Sequence, residues 1–184
     1  MKKRFFKFIF EKVLGWKAIY HVDIPDKCVI TVAPHTSNWD LIIGQIYYAT
    51  VDNVAAFMMK KEWFFFPLGY FFRAIGGVPV YRGKNTSLVE QMSQRFAEKD
   101  RLHLAITPEG TRKANPNWKR GFYYIALEAK VPVVLIGINY EEKTVTVGKI
   151  LEPTGDIEKE MAEVKDYYKD FKGKIPRNFD LGEY

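Results

Sequence analysis

Short apolar, β-branched runs alternate with stretches of helical periodicity along most of the chain. Residues 28–33 (Cys-Val-Ile-Thr-Val-Ala) end at Pro34 and predict a buried strand. Residues 54–59, 77–81 and 102–107 predict three more strands, and the unbroken apolar run 131–138 predicts one buried on both faces. Residues 144–147 alternate apolar and polar and predict an edge strand. Helices are predicted over 40–50, 86–99 and 119–130, and a charged one over 156–172, while the last dozen residues read as loosely ordered. Strands alternating with helices predict a single α/β domain over 1–184, with a largely parallel mixed sheet flanked by helices and a core at 28–138. No internal repeat, linker or low-complexity tract interrupts this pattern.

Two segments stand apart. Residues 2–19 predict an amphipathic helix with Phe5, Phe6, Ile9, Phe10, Val13, Leu14 and Trp16 on a broad stripe and Lys2, Lys3, Lys7 and Lys12 mostly elsewhere. Basic residues beside bulky aromatics suit a helix lying in a membrane interface, and the same stripe suits packing on a core. Residues 63–72 hold seven aromatics in ten positions, broken by Pro67 and Gly69. Such density predicts a surface partly immersed in lipid or the lining of an acyl groove.

Charge sharpens this picture. The chain of 184 residues carries a net +6, but residues 60–130 hold 13 basic against 6 acidic side chains and residues 131–184 hold 8 against 11. A basic first part points to a polyanionic partner: nucleic acid, an anionic membrane or a phosphorylated substrate. Lys7, Glu11, Lys12 and Lys17 break the apolar N-terminal stretch, so it does not read as a secretory signal. No run approaches the roughly 18 uncharged residues of a spanning helix, so membrane contact is expected from one side, at the cytoplasmic face. The single cysteine, Cys28, excludes an internal disulfide and reads as a strand interior.

Three polar islands stand at the ends of predicted strands, where the loops of an α/β sheet converge on a site. They are residues 34–40 (Pro-His-Thr-Ser-Asn-Trp-Asp), 76–83 (Gly-Gly-Val-Pro-Val-Tyr-Arg-Gly) and 107–112 (Thr-Pro-Glu-Gly-Thr-Arg). A loop can fold His35 back on Asp40, whose carboxylate would set the imidazole tautomer and leave the other nitrogen to take a proton from an alcohol. The segment 37–40 equally fits a capping box in which Asp40 only favours a helix N-terminus. Arg82 and Arg112 at converging strand ends would clamp a phosphate, Gly110 would turn backbone N–H groups toward a ligand, and Glu109 would bind polar groups or buttress the arginines. His21 and His103 have no second His or Cys at ligand spacing, so no metal site is predicted.

The block 35–40, a histidine and an aspartate separated by four residues, resembles the catalytic motif of the 1-acylglycerol-3-phosphate acyltransferase family within the glycerolipid acyltransferases. Residues 77–82 resemble its second block, 108–112 its third and 131–134 its fourth, in order and at matching separations across 28–138. The resemblance implies an α/β domain with a membrane-facing N-terminal part. It implies His35 as general base with Asp40 in support, and Arg82 and Glu109, with Gly110, Thr111 and Arg112 close by, in acceptor binding. Pro34, Thr107 and Leu135 depart from the family's usual flanks, which opens the acceptor to lyso-ornithine or other amino-acid lipids.

The expected reaction is O-acyl transfer from an acyl-CoA or acyl carrier protein thioester to the hydroxyl of a lysophospholipid such as 1-acylglycerol-3-phosphate. Activation resides in the thioester, so no cofactor is expected. An anionic membrane is the expected surface. Two other readings compete: a hydrolase using the same pair on water, and a non-catalytic basic module binding membrane or nucleic acid. Nucleic acid is not expected, because the aromatics cluster at 63–72, away from the islands.

Overall fold

The fold is read from a computed structural model that describes residues 2–51, 53–81 and 87–182. Its strands are β1 (Lys17–Tyr20), β2 (Lys27–Ala33), β3 (Ala56–Lys60), β4 (Gly77–Val80), β5 (Leu102–Ile106), β6 (Val133–Asn139) and β7 (Thr144–Leu151). Its α-helices are α1 (Lys2–Phe8), α2 (Trp39–Thr50), α3 (Leu68–Ala74), α4 (Leu88–Glu98), α5 (Gly121–Ala129) and α6 (Ile157–Tyr168). The strands form one seven-stranded sheet in the order β1-β7-β6-β2-β5-β3-β4, parallel at every pairing except β6 with β7.

Both faces of the sheet are covered, which is why β6 is buried along its whole length. On one face α4, α5 and α6 place Phe96, Phe122, Ile125 and Val164 against Val29, Leu104, Val133 and Leu135. On the other, α2 and the N-terminal segment place Ile43, Tyr47 and Phe10 against Ile30, Val134, Ile136 and Val145. Alternate residues of β2 therefore feed opposite cores, as the strand period of two requires. The ends of α4 and α6 carry local signals as well. Ser87 and Glu90 form a reciprocal capping box, and Asp156 accepts the Lys159 N–H.

Three expectations are corrected. The helix predicted over 2–19 is α-helical only to Phe8, continues as a π-helical turn over Ile9–Val13 and turns at Gly15 (φ +72°). Residues beyond the turn become β1, because their backbone N–H groups find partners on β7 that a longer helix would forgo. Residues 144–147 are not at an edge: β7 runs to Leu151 between β1 and β6, and β1 takes the edge. The last dozen residues are tied down as far as Gly182 rather than loose. Trp118 Nε1 donates to the Asp180 carbonyl, Phe179 packs on the Trp118 ring and Ile175 N donates to Thr36 Oγ1.

The aromatic run forms a 3-10 turn (Lys61–Trp63) and α3, with Trp63, Phe65, Phe66, Tyr70 and Phe71 exposed. Phe66 is 81% exposed, an extreme value for a large apolar side chain. Among the described residues no helix is long and apolar enough to cross a membrane.

Candidate active site

Three adjacent parallel strands, β6, β2 and β5, end at the same edge of the sheet and carry the polar groups of the site on the loops that follow. His35 lies two residues beyond β2, Glu109 three beyond β5 and Tyr140 one beyond β6. The loop after β2 turns at once into α2, which returns Asp40 to His35. The His35 Nδ1–H donates to Asp40 Oδ2 over 3.1 Å, leaving Nε2 as the nitrogen available to a substrate. His35 retains some access to solvent, whereas Asp40 is buried.

The desolvation of the buried Asp40 carboxylate is offset by hydrogen bonds to both of its oxygens. Oδ2 also accepts Thr36 N and Ser37 N, each at 2.8 Å, and Oδ1 accepts the Tyr140 hydroxyl at 2.7 Å. The capping box read at 37–40 does not close, since Ser37 Oγ accepts Trp39 N and not Asp40 N, but the Asp40 carboxylate holds the Thr36 and Ser37 N–H groups ahead of α2 and orients the imidazole. Burial, then the bond to Asp40, pushes the Tyr140 hydroxyl far above the ordinary tyrosine range, so it stays protonated and donates.

Behind this loop, the Glu109 Oε1 accepts His35 N at 2.6 Å. Glu109 is 1% exposed, and its Oε2 has no hydrogen-bond partner among the described residues. Burial pushes its carboxyl up to about 7 and the Asp40 charge adds to this, while the His35 N–H bond pulls the other way. Because the folded-state value lies above the unfolded one, stability is lost as pH rises through that interval, at most about 3 kcal/mol in all. Glu109→Gln keeps an oxygen for His35 N and removes the titration. Its melting temperature relative to the native chain is therefore expected to be higher at pH 8 than at pH 5; an equal difference at the two pH values would contradict a buried, titrating Glu109.

Gly110 sits at φ +68°, a conformation that side chains resist, and a Cβ there would also press on Lys119. The turn brings Arg112 across to α2, where its guanidinium donates to Asn38 Oδ1. Thr111 Oγ1 accepts Lys113 N and does not line the cavity. A segment running back from α6 closes the rear. Gly173 packs so tightly that a Cβ would lie 2.7 Å from the Thr36 side chain, and Tyr140 N donates to the Lys172 carbonyl.

His35, Asn38, Asp40, Gly110 and Arg112 line a cavity of about 470 Å³ between α2 and the sheet. Most of the remaining wall is apolar, including Leu41, Phe57, Met59, Ile136, Ile138 and Val145, with Gln45, Lys60 and Thr107 as polar exceptions. Gly44, one helical turn after Asp40 on the same face, also lines it. No residue of 63–72 lines this space: Trp63, Phe65, Phe66, Tyr70 and Phe71 face outward, while Phe64 and Phe72 pack on each other. Glu109 is likewise off the cavity wall, behind the His35 peptide. Arg82 lies outside the described residues.

His103 is far from this chemistry: it is buried at the start of β5, bonded to the Pro25 carbonyl and Asn53, and burial lowers its pKa. Cys28 is fully buried, its thiol pushed up to about 12 and therefore unreactive. Among the described residues no cluster of His, Cys, Asp and Glu is arranged to hold a metal ion.

The family model described as Acyltransferase matches residues 19–139, about two thirds of the chain, from within β1 to the end of β6. The chain belongs to the Acyltransferase family. This acyltransferase shares its fold with the 1-acyl-sn-glycerophosphate (LPA) acyltransferase PlsC from Thermotoga maritima. The TM-score is 0.64 at 19% identity, over 91% of this chain and 75% of that one. No curated protein matches the chain. Sequence reasoning assigned no role to Thr36 or Asn38 within the first island, and it missed Tyr140 and the segment 172–175 as parts of the candidate site. Tyr140 had one usable signal, a polar pair after the longest apolar strand, at the sheet edge where the islands also lie.

Proposed function

We propose that this acyltransferase moves a fatty-acyl chain from a thioester to the hydroxyl of a lysophospholipid, 1-acylglycerol-3-phosphate being the first candidate, with His35 as general base. The observation that carries the reading is the His35–Asp40 pair in the wall of a largely apolar cavity that Arg112 also lines. His35 Nε2 takes the proton as the acceptor oxygen attacks the thioester carbonyl, the C–S bond breaks, and the imidazolium returns the proton to the leaving thiolate. The acyl chain lies in the cavity between α2 and the sheet. Arg112, together with Arg82, holds the acceptor's phosphate, and Gly110 and Thr111 shape the loop that presents Arg112. Glu109 supports the site from behind by holding the His35 peptide.

The reaction takes place at the cytoplasmic face of a membrane, the acyltransferase lying on its surface. Exposed Phe5, Phe8 and Val13 beside Lys2, Lys3, Arg4 and Lys12 support this, as do exposed Trp39, Leu41 and Ile42 next to His35. The donor is an acyl-CoA or an acyl carrier protein thioester.

The test is thiol release from palmitoyl-CoA by the purified protein in detergent, with and without lysophosphatidic acid. Release that depends on the acceptor is the expected result. Release without any acceptor would make the protein a hydrolase. If lysophosphatidic acid is inert, the same assay with an acyl carrier protein donor and with lyso-ornithine lipid identifies the donor and acceptor, and silence with all of them would remove the proposal.

A further inference from the structure

We infer that Tyr140 is a positioning residue of the acyl-transfer site, the third member of a unit in which it holds Asp40 and Asp40 holds His35. The inference rests on the reading of His35 as the base. Tyr140 is one residue beyond the segment that matches the family.

The geometry divides the Asp40 carboxylate between two tasks. Its Oδ2 faces the loop, taking Thr36 N, Ser37 N and the imidazole of His35. Among the described residues its Oδ1 takes only the Tyr140 hydroxyl, at 2.7 Å. A carboxylate pivots about its Cβ–Cγ bond, so a donor fixed on Oδ1 sets the direction of the Oδ2 lone pairs and with it the plane of the imidazole. That donor is held from outside the dyad. The Trp16 ring meets the Tyr140 ring edge-on at 5.0 Å, and the Tyr140 N–H is tied to the Lys172 carbonyl at 2.8 Å. The Lys174 ammonium stands 4.6 Å over the Trp39 ring and 6.0 Å from that of Tyr140. The clamp therefore draws on the turn before β1, the end of β6 and the segment after α6, none of which contains a family motif.

A phenol serving stability alone would need only some acceptor for its proton. Tyr140 instead meets the carboxylate oxygen opposite the imidazole, and the hydroxyl's strongly raised pKa keeps it a donor across the working pH range. In the transition state His35 becomes an imidazolium, and an Asp40 free to pivot would meet it at a poorer angle and more weakly.

The test is a double-mutant cycle in acyl transfer, at a temperature where every variant is folded by circular dichroism. Tyr140→Phe keeps the ring against Trp16 and removes the hydroxyl. It is expected to lower kcat roughly tenfold with the acceptor KM unchanged, because orientation and not binding is lost. In an Asp40→Asn background the same change should cost nothing more, since groups that act as a unit are not additive. Full kcat in Tyr140→Phe, or an equal loss in both backgrounds, would overturn the role. A structural tyrosine would instead lower the melting temperature in each background and leave the kcat of folded enzyme intact. The parent reading fails separately and visibly: a His35→Ala variant with native activity would remove the base and the tyrosine's role together.

Discussion

His35→Ala lowers kcat for acyl transfer by roughly 10²–10⁴-fold, the share that a positioned general base supplies, and leaves the fold intact. Both halves of this expectation follow from the geometry. Among the described residues the imidazole makes a single hydrogen bond to another side chain, to Asp40, and it is a partly exposed residue of the cavity wall rather than of the core. Removing it leaves Asp40 with Thr36 N, Ser37 N and the Tyr140 hydroxyl, so no buried charge is stranded. The proton of the acceptor hydroxyl, by contrast, loses its only base, for Glu109 is buried behind the loop. Asp40→Asn should cost less kcat than His35→Ala, since the base survives with its tautomer poorly held. Steady-state rates with circular dichroism as the control decide the matter, and a folded His35→Ala variant with native rates would refute the mechanism.

Gly44→Leu is the second large effect, and it falls on selectivity. Gly44 lies on the face of α2 that lines the cavity, and a Cβ there would meet no heavy atom within 4 Å. A leucine has space only by taking it from whatever occupies the cavity, and in a helix it is favoured over glycine by up to ~1 kcal/mol. Its four carbons displace about as many methylenes of a bound chain, and at about 0.8 kcal/mol each the loss approaches 3 kcal/mol, or roughly 100-fold in kcat/KM. Palmitoyl donors are therefore expected to lose that factor while octanoyl donors keep most of their rate. A ratio of palmitoyl to octanoyl kcat/KM equal to that of the native chain would mean that the acyl chain lies elsewhere.

The α/β architecture was legible in the sequence because period and run length are local properties. Residues 131–138 are apolar without interruption, and β6 is indeed buried on both faces. The polar islands at 34–40 and 107–112 do follow strands β2 and β5. Where the reading failed, a distant partner had overridden a local signal. The helical stripe of 2–19 takes no account of β7, 127 residues further on, whose backbone claims residues 17–20 for the sheet. Residues 144–147 alternate like an edge strand, yet β1 covers them.

The candidate site divides along the same line. The sequence by itself pointed to the candidate residues whose chemistry is carried by type and close spacing: His35 and Asp40 on one loop and helix turn, and Glu109, Gly110 and Arg112 on another. It also determined that this chemistry sits at strand ends. Only the tertiary structure decided that Glu109 turns its carboxylate to the His35 peptide and away from the cavity, and that the aromatics of 63–72 stay off the cavity wall, most of them facing outward. It alone decided that Tyr140, 100 residues from Asp40, completes the carboxylate. The physical reason is one of range. Periodicity, capping and turn chemistry act over a few residues and leave a mark on the sequence. A hydrogen bond between side chains at the ends of neighbouring parallel strands depends on strand order and register, which the whole sheet fixes together when its two faces are buried.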